Sequence, residues 1–210
     1  MGHKLFTTRY PAAALTWAAA NLFLAAPAGA QTVYITVLNH SFDMDVLNCS
    51  PGYSCAQFGI TGWTVGPQTD VQIMTTAQYP MAPSTGLYVA AIGNSSAPGS
   101  IFQKLGATLQ ANTTYTLTVE VGARADYDFT GYNASLLAGN VSLASGHEAT
   151  PLGGTFVTDL VVYKSGATPA QLGQPLQILI RSKGTGQADI QDVVLTATPT
   201  TAEQAARGTE

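Results

Sequence analysis

An all-β, two-sheet antiparallel sandwich is the fold this sequence predicts, and three observations carry it. Segments such as 114–122 (TYTLTVEVG) and 175–182 (PLQILIRS) alternate apolar and polar residues at period two. Short clusters of Gly, Pro, Asn and Ser punctuate them. Beyond residue 30, no stretch sustains apolar residues at helical spacing for three turns. Period two sends alternate side chains to opposite faces, so each such segment is a strand with one buried face.

Taken in order, strands are predicted over 32–38, 62–65, 71–74, 87–92 and 100–105. Others follow at 114–122, 134–138, 141–144, 154–164, 175–182 and 188–197. Within 114–122, Tyr115, Leu117, Val119 and Val121 form an apolar face, and Thr116, Thr118 and Glu120 form the polar one. So many short strands with turn signals between them make a sandwich or jelly roll. Residues 168–172 leave room for one helical turn. The region 39–83 is turn-rich and polar and carries both cysteines. Long loops at a sandwich edge are where binding sites usually sit.

The chain opens on a leader. Lys4 and Arg9 precede an Ala- and Leu-rich stretch reaching Leu24, and Ala28-Gly29-Ala30 supplies small residues for cleavage. The apolar core is shorter than the ~20 residues a bilayer span requires. The predicted organisation is therefore a signal peptide at 1–30, one sandwich domain at 31–198 and a disordered tail at 199–210. A secreted, periplasmic or extracellular protein follows.

Charged residues make up 10% of the chain, far below the roughly 25% of an ordinary soluble domain. Thr, Ser, Asn, Gln and Gly must then cover the surface. A net charge of −4 with no polybasic run argues against nucleic acid as a partner. No segment after the leader is apolar enough to span a membrane, and a homodimer is left open. Cys49 and Cys55 close a short turn; in an oxidising compartment that spacing reads as a disulfide. Two thiols without a nearby His pair make a poor zinc site.

Four constellations could carry chemistry. The chain lacks a G-x-S-x-G elbow, and beyond the leader only His40 and His147 could serve as a base, so a nucleophilic triad finds little support. Asp43 and Asp45 follow the first strand, while Asp189, Gln191 and Asp192 lie on the last. First and last strands of a sandwich commonly meet, and such oxygens suit a Ca²⁺ ion; solvated strand-end carboxylates are the alternative. Asp126 and Asp128 flank Tyr127 just after Arg124 and could do acid/base work or simply bond the arginine. Tyr53, Trp63 and Tyr79 are candidates to stack on a sugar, although Gly62-Trp63-Thr64-Val65 also reads as a strand burying its ring. Asn39, Asn48, Asn94, Asn112, Asn133 and Asn140 each precede Ser or Thr by two places, formal glycosylation acceptors and equally common turn chemistry.

The order of motifs resembles that of galactose-binding-domain-like jelly rolls. Asn39-His40-Ser41-Phe42-Asp43 is similar to their N-x-S-F-E opening. Gly62-Trp63, Gln103 with Leu105, and Asn112 through Leu117 follow. Leu136 through Gly139, Gly154-Thr155-Phe156 and Asp192 through Leu195 complete the series. The same order resembles the Stig cyclases, calcium-containing enzymes of hapalindole-type alkaloid biosynthesis. The resemblance implies a structural calcium held by Asp43, Gln191 and Asp192. In the cyclase reading, an acid of the last strand protonates the substrate, and Asp189 is the matching residue.

The leading expectation is a secreted, non-catalytic module that binds carbohydrate or a surface polymer through Tyr53, Tyr79 and Trp63. The alternative is a small-molecule cyclase with Asp189 as general acid inside the sandwich. A purely structural matrix or envelope component is the third reading.

Overall fold

The computed structural model describes residues 30–47, 55–80, 87–147 and 149–200. Cys49, Tyr53, the predicted leader up to residue 29 and the tail beyond residue 200 lie outside them. Cys55 is disulfide-bonded.

The strands run β1 (Val33–Ile35), β2 (Cys55–Phe58), β3 (Thr64–Val65), β4 (Thr69–Met74), β5 (Leu87–Ile92) and β6 (Ser100–Thr108). They continue as β7 (Thr113–Ala123), β8 (Tyr132–Ala138), β9 (Val141–Gly146), β10 (Thr155–Lys164), β11 (Pro175–Ser182) and β12 (Ala188–Pro199). One sheet has the order β10-β7-β12-β5-β4-β2, with β1 also pairing to β12. The other has the order β3-β6-β11-β8-β9. All pairings between these strands are antiparallel. The predicted fold class is the observed one, and β5 and β11 keep the predicted bounds. Among the described residues, no helix is long and apolar enough to cross a membrane. One strand, β2, escaped the sequence reading because CAQF has no alternation and sits within the turn-rich region; its residues are mostly exposed.

The core forms between the two sheets. Leu117, Val119 and Val121 of β7, with Val193 and Leu195 of β12, meet Leu136 of β8 and Ile178 and Ile180 of β11. All are completely buried. Full burial of each such aliphatic chain stabilises the fold by about 1.5–3 kcal/mol. Trp63 joins this core at 7% exposure. Its ring packs 5.7 Å from Phe42, and its Nε1 donates to the Asn39 carbonyl at 3.2 Å.

A bulge in β12 decides what each face of the larger sheet carries. Ile190 pairs with Val121 and Gln191 with Glu120, but the next pair is Val193 with Val119. Asp192 is the extra residue, at φ +38°. Its Oδ1 lies 3.3 Å from His40 Nδ1, and the Val193 amide donates to the His40 carbonyl at 3.0 Å. An inserted residue inverts the alternation on either side of it. Val193 and Leu195 therefore face the core, while Asp189, of the same parity, faces out of the sandwich. The cyclase reading expected Asp189 inside the sandwich; the bulge instead turns it to the outward face.

Holding an L-residue with a side chain in the left-handed region costs about 1–2 kcal/mol, and least for Gly, Asn and Asp. Asp192→Val is expected to lower unfolding free energy by about that amount relative to Asp192→Gly. Urea denaturation of both variants measures the difference.

Candidate functional site

The outward face of the larger sheet carries a transverse row of directly paired residues. Direct pairing aligns Phe58 with Asp70, Asp70 with Ala91, Ala91 with Asp189, Asp189 with Gly122, and Gly122 with Phe156. Residues directly opposite in an antiparallel pair share a face. Two carboxylates thus stand on one surface with only the Ala91 methyl between them, flanked at both ends by aromatic rings.

Tyr79 closes this row from above. The turn after β4 is fastened by the Gln78 and Tyr79 amides donating to the Thr75 carbonyl. The Gln78 carboxamide oxygen accepts from the Thr75 amide. The Ala125 amide donates to the Gln78 carbonyl at 3.0 Å, tying the turn to the end of β7. So placed, the Tyr79 ring stacks on Phe156 at 4.5 Å with a 27° interplanar angle. Met74 and Val89 complete this small apolar cluster outside the main core. Gly122 makes room for the stack, since a Cβ there would lie 2.4 Å from the Phe156 ring.

Asp189 is the chemical centre. It is 1% exposed. The Tyr79 hydroxyl donates to its Oδ2 at 2.6 Å, and Gln187 Nε2 donates to its Oδ1 at 2.6 Å. Gln187 is itself held by its amide, which donates to the Asp128 carbonyl. Burial pushes the Asp189 pKa up to about 6, although both hydrogen bonds and the Arg124 charge favour the anion. Desolvation wins because hydrogen bonds replace only part of the lost hydration. Burial and the neighbouring Asp189 together push the Tyr79 hydroxyl far above its ordinary value, so it stays a hydroxyl.

The surroundings are more polar. Asp70 is half-buried; burial raises its pKa, opposed by the Gln72 amide and by Arg124. Gln72 Nε2 donates to Asp70 Oδ1 at 2.7 Å. Arg124 forms a two-pronged bond to Asp126 at 2.9 and 2.8 Å, and its guanidinium lies 5.4 Å from the Tyr127 ring centre. That bond holds the Asp126 carboxyl below its usual range. Beside them a cleft of about 440 Å³ is lined by Ser95, Ala125, Asp126, Tyr127, Asp128 and Thr185.

The structure sorts the expected site residues. Asp189 and Tyr79 meet directly. Trp63 is in the core and presents no stacking face. Asp43 is exposed, and Asp192 pairs with His40. Gln191 lies on the outward face opposite Glu120. Asp45 is buried with its carboxylate occupied by the Thr61 amide and hydroxyl and by Asn39 Nδ2. Among the described residues no group of three or more His, Cys, Asp or Glu could hold a metal ion. Sequence reading passed over Asp70, Gly122, Phe156 and Gln187. Asp70 was visible only as the polar member of the alternating run TDVQIM, a signal shared with any solvent-facing residue.

Comparison with known proteins fits this arrangement. Residues 33–196 match the family described as HpiC1-like, HpiC1 cyclase. An apo cyclase from Fischerella sp. superposes with a TM-score of 0.71 at 25% identity, covering 81% of this chain and 98% of that one. The Stig cyclase Fisc from Fischerella sp. TAU, in complex with (3Z)-3-(1-methyl-2-pyrrolidinylidene)-3H-indole, gives 0.71 at 26%, covering 81% and 100%. A cyclase from Fischerella sp. TAU in complex with 4-(1H-indol-3-yl)butan-2-one gives 0.70 at 26%, covering 81% and 100%. No curated protein matches the sequence. These similarities overturn the expectation of a non-catalytic carbohydrate-binding module. Two of its three expected stacking residues are also buried, Trp63 at 7% and Tyr79 at 1% exposure.

The raised pKa has a stability consequence. Asp189 binds its proton more tightly folded than unfolded, so its contribution is full below about pH 4 and is lost as pH rises through about 6. Chemical denaturation across pH 4 to 7 should show a decline on the order of 2–3 kcal/mol. The Asp189→Asn variant should lack that component of the slope.

Proposed function

This chain belongs to the HpiC1-like cyclase family, and from that premise we propose that it is a small-molecule cyclase with Asp189 as general acid. The observation that carries the reading is a carboxyl 1% exposed, raised to about 6 and oriented by Tyr79 and Gln187. A general acid works best when its pKa lies near the operating pH. An ordinary surface aspartate would be almost wholly ionised there.

The chemistry is an isomerisation. Protonated Asp189 adds its proton to one carbon of an alkene, and the adjacent carbon becomes cationic. The π electrons of a neighbouring arene or alkene then form the new carbon–carbon bond. Loss of a proton from carbon restores the π system, so substrate and product have the same mass. A hydroxyl can accept as well as donate, so Tyr79 can reverse its bond to Asp189 when the acid is protonated. The half-buried Phe156 ring, backed by Tyr79, supplies a negative π face that attracts a developing cation. The substrate class is a planar, largely apolar small molecule; two relatives are seen with indole compounds, which makes indoles the first candidates. Export remains part of the proposal, supported by the leader in the sequence and the disulfide-bonded Cys55.

The test uses 3-(4-methylpent-3-enyl)indole in D₂O. Cyclisation onto indole C2 gives a tetrahydrocarbazole isomer carrying one deuterium, read by mass spectrometry and NMR. Asp189→Asn should lower the rate by about 10²- to 10⁴-fold. The wild-type rate should fall tenfold per pH unit above about 6, as the acid ionises. Equal turnover by wild type and Asp189→Asn would remove Asp189 from the chemistry.

A further inference from the structure

The proton that leaves the substrate needs a base, and the acid that began the reaction is poorly placed to serve. Once it has given up its proton, both of its oxygens accept hydrogen bonds, from Tyr79 and Gln187. We propose that Asp70 is the catalytic base that removes the substrate proton after ring closure, working across Ala91 from Asp189. The assignment rests on the cyclase reading above and adds a second catalytic residue to it.

Geometry selects Asp70. It pairs with Ala91, and Ala91 pairs with Asp189, so the two acids are two strand spacings apart on one face. At about 4.8 Å per spacing, their Cα atoms are separated by roughly 10 Å. That is too far to share a proton and suits two carboxyls addressing different atoms of one bound molecule. The residue between them is Ala91, the smallest chiral side chain. Gln72 Nε2 fixes one carboxylate oxygen and leaves the other to act. Asp70 is half-buried, more open than Asp189.

Two other acids nearby are engaged. Asp126 is clamped by both prongs of Arg124 and held low, which makes it a weak base. Glu120 accepts from the Thr158 hydroxyl at 2.5 Å and lies opposite Gln191, on the row nearer the bulge. Arg124 stabilises the ionised form of Asp70, the form a base requires. In balanced terms, Asp189 gives one proton to the alkene carbon and a C–C bond forms. The C2–H electron pair then returns to the indole ring while Asp70 takes that proton. No oxidant or co-reactant is consumed.

The experiment compares wild type, Asp189→Asn, Asp70→Asn and Asp70→Glu with 3-(4-methylpent-3-enyl)indole in D₂O, using probe with hydrogen or deuterium at C2. Folding of each variant is checked by circular dichroism. Asp70→Asn should turn over about 10²-fold more slowly, and deuteration at C2 should slow it further, an effect absent in wild type. Asp70→Glu should recover part of the rate and lose the isotope effect. A merely structural role would slow both isotopic forms alike. An Asp70→Asn variant that matches wild type, or is slowed without an isotope effect at C2, overturns the assignment while an inactive Asp189→Asn keeps the cyclase reading. Failure of wild type to cyclise the probe, or full activity in Asp189→Asn, overturns the cyclase reading and this assignment with it.

Discussion

Everything at the candidate site depends on the extra residue in the last strand. Asp192, at φ +38°, breaks the alternation of β12 and turns Asp189 away from the hydrocarbon core. An ionisable group in that core without partners would cost several kcal/mol or stay permanently neutral. On the outward face it instead finds a hydroxyl and a carboxamide, and its proton can still exchange. The His40–Asp192 pair and the amide bond from Val193 to His40 anchor the bulge to the segment after β1, tying the two ends of the domain together.

The site also shows how a sandwich keeps stability and reactivity in different places. The interior between the sheets is apolar and fully packed. On the far side of one sheet, Met74, Tyr79, Val89 and Phe156 form a second, smaller apolar cluster. Two aromatics expected to stack on a sugar are engaged inside the fold: Trp63 bonds the Asn39 carbonyl, and Tyr79 covers Asp189.

Much of the fold was legible in the chain. Eleven of the strands follow from alternation bounded by turn residues, because the side-chain period of a strand is fixed by backbone geometry. Short β2 was missed since its pairing to β4 owes nothing to a repeating pattern. Asp189 was legible as a candidate acid through motif order, and Tyr79 was singled out as a loop aromatic for the wrong purpose. Asp70, Gly122 and Phe156 were not legible, because each is ordinary in its own segment.

The amino-acid sequence alone determined the class of fold, the apolar face of each long strand and the motif order that carries the cyclase resemblance. These are local properties, set within a few residues by alternation, turn chemistry and composition. Only the tertiary structure decided which residues share a surface. Strands distant in the chain line up across a sheet through hydrogen-bond register, and one inserted residue reverses every face beyond it. That is why Asp70, Ala91, Asp189, Gly122 and Phe156 form one row although no window of sequence contains them together.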